Sequence, residues 1–149
     1  MSRLPTYSVP NVDTLTPPVV RRPRLSLWLL RTVFTVHLVL VLGQPVLAGM
    51  YLTGDIDAIG LHATNGDLLI AINFLVIACT IGYVVAGRGR IWTIPVAVAL
   101  FLAVGLQVGF GWSRQLQLHV PLGVAIITTS VLMAIWLWSP SAARPRGAR

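Results

Sequence analysis

Lysine is absent from this 149-residue chain, acidic residues number only four, and cysteine occurs once. Each shortage excludes something. Charged residues make up 10% of the chain, against roughly 25% in a soluble domain. With 56% hydrophobic residues and a mean hydropathy of +0.81, the composition is that of a membrane protein. The single Cys79 lies inside an apolar run, which rules out an intrachain disulfide and a cysteine metal cluster and leaves a small apolar filler. No acidic residue falls at mid-membrane, so nothing is available to couple an ion in a small transporter. The eleven basic residues are all arginine, which reads as the base composition of a GC-rich bacterium rather than as a functional choice.

Residues 1–24 carry Pro5, Pro10, Pro17, Pro18 and Pro23 among scattered Ser and Thr. Such a segment buries no core, and a disordered tail is expected. It is also too long and too proline-rich for the first part of a cleavable signal peptide. Four apolar segments follow, at about 27–52, 61–86, 91–112 and 116–138. Each meets the roughly 20 residues that a helix needs to cross a bilayer, and helices keep their backbone hydrogen bonds internal in lipid. Residues 25–139 are therefore expected to form an all-α, integral membrane, up-down four-helix bundle, with 140–149 as a short basic tail. Pro121 sits in the first turns of the fourth helix, where its missing N–H costs little. Pro45 lies deeper and should kink the first helix.

The arginines set the topology. Arg21, Arg22, Arg24 and Arg31 open the first helix, Arg88 and Arg90 join the second to the third, and Arg144, Arg146 and Arg149 follow the fourth. The other two loops hold Asp55, Asp57 and a single Arg114. The positive-inside rule then puts both termini in the cytoplasm of a bacterial cell, the chain being a multi-pass plasma-membrane protein. The net charge of +7 is thus a topology signal, with some attraction to anionic lipid, and not the footprint of a nucleic-acid binder. Trp28, Trp92, Trp112, Trp136 and Trp138 fall at helix ends, as aromatic belts do.

A repeat runs through the bundle. The first helix contains VLGQPVLAG (Val41–Gly49) and the third VGLQVGFGW (Val104–Trp112). Each is followed by a turn and then by Leu-His-x-x-x-Gly, in LHATNG from Leu61 and LHVPLG from Leu118. Eleven residues beyond each His, close to three helical turns, stands a small polar residue on the same face, Asn73 or Ser130. The pattern reads as a duplicated helical hairpin, its halves related by an axis along the membrane normal. From Gln to His is 18 residues in one copy and 12 in the other, a difference assigned to the first loop.

In up-down order the second and fourth helices are diagonal, so His62 and His119 lie at the same depth and can face each other across the core. Gly66 and Gly123, one turn deeper on the same faces, remove bulk where a flat ligand would lie. Two diagonal imidazoles above glycines suit the iron of a haem b. Gln44 and Gln107 are then supporting groups that hydrogen-bond an imidazole, a propionate or a ligand. Either Leu-His-x-x-x-Gly alone reads equally as an interfacial histidine and a close-packing glycine; the matched pair carries the inference. His37, seven residues before Gln44, has Leu100 at its counterpart position and therefore no partner for a second haem. It is expected to be a hydrogen-bonded helix histidine, with quinone or proton chemistry as the sharper alternative. Asp67 reads as a hydrated interfacial carboxylate. Arg114, the one cation among the outer loops, either pairs with a propionate or sits in water.

VGLQVGFGW followed by LHVPLGVAI resembles the third-to-fourth-helix portion of one half of haem A synthase, and LHATNGDLL is similar to its second-helix histidine segment. The resemblance spans about residues 28–138 and extends to small actinobacterial four-helix membrane proteins. It implies a four-helix haem-binding half with His62 and His119 as axial ligands. That family has a Glu just before the second-helix histidine and a Cys pair in an outer loop. Here Ala58 and Ile59 stand near the first, and the loop has no Cys. The fold and the haem site carry over; the synthase chemistry does not, and no catalytic constellation is found. The function expected is a small membrane b-type cytochrome, active in electron transfer or haem handling with a membrane redox partner or quinone, as a homo- or hetero-oligomer. The alternative is a cofactor-free structural or accessory subunit of a larger membrane complex.

Overall fold

The computed structural model describes residues 24–147, so the expected N-terminal tail, Arg24 apart, lies outside the described residues. Four long helices follow one another: α1 (Leu25–Leu52), α2 (Ala58–Val85), α3 (Thr93–Trp112) and α4 (Leu116–Trp138). All four are long and apolar enough to cross a membrane. The chain is an all-α membrane four-helix bundle.

Each helix packs chiefly on its two neighbours in a closed ring, α1 against α2 and α4, α3 against α2 and α4. That ring leaves α1 opposite α3 and α2 opposite α4. A single core cluster runs down its centre, including Leu30, Phe34, Val41, Val76, Leu100, Val104, Ile126, Met133 and Leu137. Large apolar side chains such as Leu29, Val39, Leu75, Leu102, Leu132 and Ile135 remain on the outside. So wide an apolar exterior is costly in water and is what lipid covers. The bundle joins the start of α1 to the end of α4: Arg31 Nε donates to the Leu137 carbonyl at 2.8 Å, and the rings of Trp28 and Trp138 stack edge-on at 5.6 Å. We refer to this as the tail end and to the opposite side as the histidine end.

The turns at the histidine end repeat as the helices do. At the end of α1 the Gly54 N–H bonds to the Tyr51 carbonyl and Asp55 N–H to Met50, with Gly54 at φ 108°. At the end of α3 Arg114 N–H bonds to Gly111 and Gln115 N–H to Phe110, with Arg114 at φ 55°. Both are Schellman closures with a left-handed residue just past the helix. Glycine meets that requirement without strain in the first copy, and arginine takes it in the second.

The structure redistributes the six extra residues of the first hairpin. Three extend α1 beyond the length of α3, two lengthen the turn, and one lies at the start of α2. The loop therefore accounts for only part of the difference. Pro45 does not interrupt α1, which runs unbroken from Leu25 to Leu52. The C-terminal segment is not simply a tail: residues Pro140–Ala143 form a short helix α5 whose Ala142 is buried. The Tyr83 hydroxyl donates to the Ala142 carbonyl at 2.9 Å, and Arg146 N–H bonds to the Arg88 carbonyl at 2.7 Å.

Candidate functional site

His62 enters one turn into α2 and His119 one turn into α4, each side chain leaning back toward the start of its helix. Their ring centroids are 6.1 Å apart, with the planes at 51°. Each ring is held by the helix preceding its own. Nδ1 of His62 lies 3.1 Å from the backbone carbonyl of Gln44, and Nδ1 of His119 lies 2.9 Å from that of Gln107. A carbonyl oxygen only accepts, so on His119 Nδ1 carries the proton and Nε2 keeps its lone pair; Nδ1 of His62 faces both the Gln44 carbonyl and, at 2.7 Å, the Gln44 amide nitrogen, donating to the one or accepting from the other. No described residue engages either Nε2. The two half-buried imidazoles thus stand together, and Nε2 of His119 keeps a lone pair of the kind a metal ligand uses.

The glutamine side chains fill the space beside the glycines. Turned so that its oxygen accepts from the Gly66 N–H at 3.0 Å, the Gln44 amide brings its nitrogen to 2.7 Å from Nδ1 of His62 and 3.3 Å from the His62 carbonyl. A Cβ added at Gly66 would meet the Gln44 amide and a Val108 methyl at 3.5 Å; one added at Gly123 would come within 2.9 Å of the Gln107 amide nitrogen. The glycines therefore admit the glutamines, which in turn stand beside the histidines. The Gln107 Oε1 is buried without a hydrogen-bond partner among the described residues. Arg114 is exposed at this end, in the left-handed turn position after α3, and Asp67 is exposed as well.

Gly111 also shapes the site, and its part is not visible in the sequence. A Cβ there would approach Cε1 of His119 to 3.1 Å and Nδ1 to 3.3 Å, so α3 lies directly against the ring. Only the spacing of four residues from Gln107, one helical turn, hints at this role. Asn65 was likewise missed; its amide donates to the Leu40 carbonyl at 2.8 Å and ties α2 to α1 below His62.

Deeper in the bundle a second polar layer forms. His37 Nε2 lies 3.1 Å from Ser130 Oγ, and Asn73 Nδ2 lies 3.4 Å from His37 Nδ1. All three side chains are fully shielded. Asn73 also donates to the Leu69 carbonyl at 2.7 Å, while its Oδ1 has no partner among the described residues. The two repeat-related polar residues, Asn73 and Ser130, thus converge on the one histidine that lies outside the repeat.

Among the described residues, no three His, Cys or Asp side chains come together in a way that would hold a metal ion. Two imidazoles fall short of the three or four protein ligands that a bare zinc-type ion takes; they suit a centre that brings its remaining ligands with it. Compared with family models, with curated proteins and with solved structures, the chain matches none.

Proposed function

We propose that this chain is a small membrane cytochrome of b type whose haem is ligated by His62 and His119. The observation that carries the reading is the imidazole pair at 6.1 Å with both Nδ1 atoms on backbone carbonyls. His62 and His119, with ring centroids 6.1 Å apart, are the residues that would hold the group between them. A porphyrin supplies four equatorial nitrogens and asks the chain for two axial ligands, which is the number present here. The Nδ1–carbonyl bonds would hold both rings in orientation and raise their basicity. Gly66, Gly123, Gln44 and Gln107 would set the walls, and the unpartnered Gln107 Oε1 marks a polar group with unused hydrogen-bonding capacity beside the site.

When bound, such a group supplies one-electron transfer, with its potential tuned by axial ligands and burial. The chain would then act in electron transfer or haem handling, and the likeness to one half of haem A synthase belongs to this reading. So does the orientation: with the arginine-rich end cytoplasmic in a bacterial plasma membrane, the histidines lie near the outer face. A membrane redox protein or a quinone would be the partner.

An absorption spectrum of the protein purified after expression with ample haem tests the reading, recorded with and without dithionite. A low-spin six-coordinate spectrum is expected, lost in His62→Ala and in His119→Ala and retained in His37→Ala. A wild-type protein with no haem band overturns it and favours the cofactor-free accessory subunit.

A further inference from the structure

The least buried of the four helices is α3, and its outer face has a regular relief. Gly105 and Gly109 stand one turn apart on that face, exposed, with open space where a Cβ would project. Gly66, Gly111 and Gly123 each make room for a side chain of the same bundle, whereas nothing in the chain approaches these two. Glycine weakens a helix unless a close approach makes use of it. Leu102 and Leu106, each more than half exposed, rise beside them at the same four-residue interval. Between this ridge and α2 lies a wholly apolar groove of about 410 Å³, lined by Ile70, Phe101, Leu102, Gly105 and Leu106.

A charge stands on the border of this groove. Asp67, Ile70 and Phe74 share one face of α2 at the i, i+3, i+7 spacing; Ile70 lines the groove, and the Phe74 ring lies 4.7 Å from that of Phe101. Asp67 is exposed on this ridge. Its neighbour Gly66 lies opposite a Val108 methyl. The carboxylate therefore sits about 6 Å, four residues of α3, inside the level of the exposed Trp112. Tryptophans mark the headgroup level, and a carboxylate one turn below it on a lipid-covered face calls for a cation. The one described arginine at this end of the bundle is Arg114, exposed just past α3, and no ion pair joins the two within one copy.

We propose that this α2–α3 face is where a second copy of the chain docks. Two copies with the same membrane orientation are related by a two-fold axis along the membrane normal, so equal depths meet and each contact is made twice. The Gly105–Gly109 surfaces let the two α3 backbones approach at the crossing of about −40° that glycines four apart favour. Leu102 and Leu106 of each copy then enter the groove of the other, and Arg114 of each reaches down to Asp67 of the other. An acyl chain would fill the groove but leave the carboxylate unpaired; a second copy brings the charge complement with it. The inference does not rest on the haem reading.

The test uses the full chain, labelled at its C-terminus with donor or acceptor fluorophores and co-reconstituted in phosphatidylcholine vesicles over a range of protein densities. Energy transfer should rise and saturate as a dimer forms, well above that from random encounter. Gly105→Leu with Gly109→Leu should weaken association roughly tenfold by holding the backbones apart. Its helical content should be unchanged, because both side chains project into open space. Arg114→Asp alone and Asp67→Arg alone should each weaken association roughly fivefold, and the two together should recover most of that loss. Leu132→Ala, on the outer face of α4, should leave transfer as in the wild type. Transfer no greater than random encounter in the wild type overturns the proposal. So does undiminished transfer in the double glycine variant, or an equal loss in Leu132→Ala, either of which moves the contact to another face. A charge-reversed double variant as weak as its parents overturns the pairing of Asp67 with a second copy.

Discussion

Removing one hydroxyl from the middle of the bundle should weaken it more than removing that hydroxyl together with the imidazole it bonds. His37 Nε2 has a single partner, Ser130 Oγ at 3.1 Å, and both side chains are at 0% exposure. In Ser130→Ala the imidazole is left without that partner and without water to replace it. An orphaned buried polar group costs about 1–3 kcal/mol. Hydrogen bonds between transmembrane helices average about 0.6 kcal/mol, because the chain unfolded within a membrane finds other partners. A loss of about 1 kcal/mol is therefore expected, or roughly fivefold in the unfolding equilibrium at about 1.4 kcal/mol per decade. His37→Leu should cost less, since a serine hydroxyl can turn to the carbonyl one turn back along α4. The double variant His37→Leu, Ser130→Ala should recover at least half of the Ser130→Ala loss. Reversible unfolding in mixed detergent micelles, followed by tryptophan fluorescence, measures all three and closes a double-mutant cycle. If Ser130→Ala unfolds with the wild type and the double variant is worse than either single one, the layer is held by packing, and the hydrogen-bond reasoning is wrong.

Other expectations are simpler. Gly89→Ala forces the Tyr83 ring aside and breaks its bond to Ala142, so the melting temperature should fall by the equivalent of about 2 kcal/mol. Gly82→Ala, where a Cβ meets nothing, should be neutral or slightly stabilising in the same assay. Arg31→Lys keeps the charge but loses the Nε bond to Leu137 and the planar stack between two tryptophans; a loss of about 1–2 kcal/mol is expected on denaturant titration. Arg114→Gly relieves a left-handed arginine at φ 55° and should raise stability by about half a kcal/mol, and a drop would mean that the arginine side chain holds the turn.

The four helices are legible in the sequence because each apolar run is long enough to cross a bilayer, and their observed ends fall within three residues of the expected ones. The histidine pair is legible for a different reason, since two copies of one spacing on helices two apart in the ring must arrive at one depth. Which groups hold the rings is only partly legible. The sequence points to the glutamine amides, and the Gln44 amide does reach Nδ1 of His62 at 2.7 Å; the backbone carbonyls of Gln44 and Gln107, 3.1 and 2.9 Å from the Nδ1 atoms, leave no sign in the spacing. Gly111 presses on His119 and leaves no sign, because one glycine among several in α3 looks like any other. Asn73 and Ser130 can be placed on the faces of their helices from periodicity alone. Their meeting at His37 depends on how α1 settles between α2 and α4, which is a matter of lateral packing.

Orientation of both imidazoles by main-chain carbonyls has a consequence for how this protein can change over time. Every amino acid carries the same carbonyl, so the main chain at positions 44 and 107 keeps its place beside the rings through a substitution that preserves the helix, even where the amide side chain is lost. Part of the geometry of the histidine end is therefore carried by groups that no change of side chain removes. A lineage built this way can drift nearly everywhere within the bounds of apolarity while its geometry stays put.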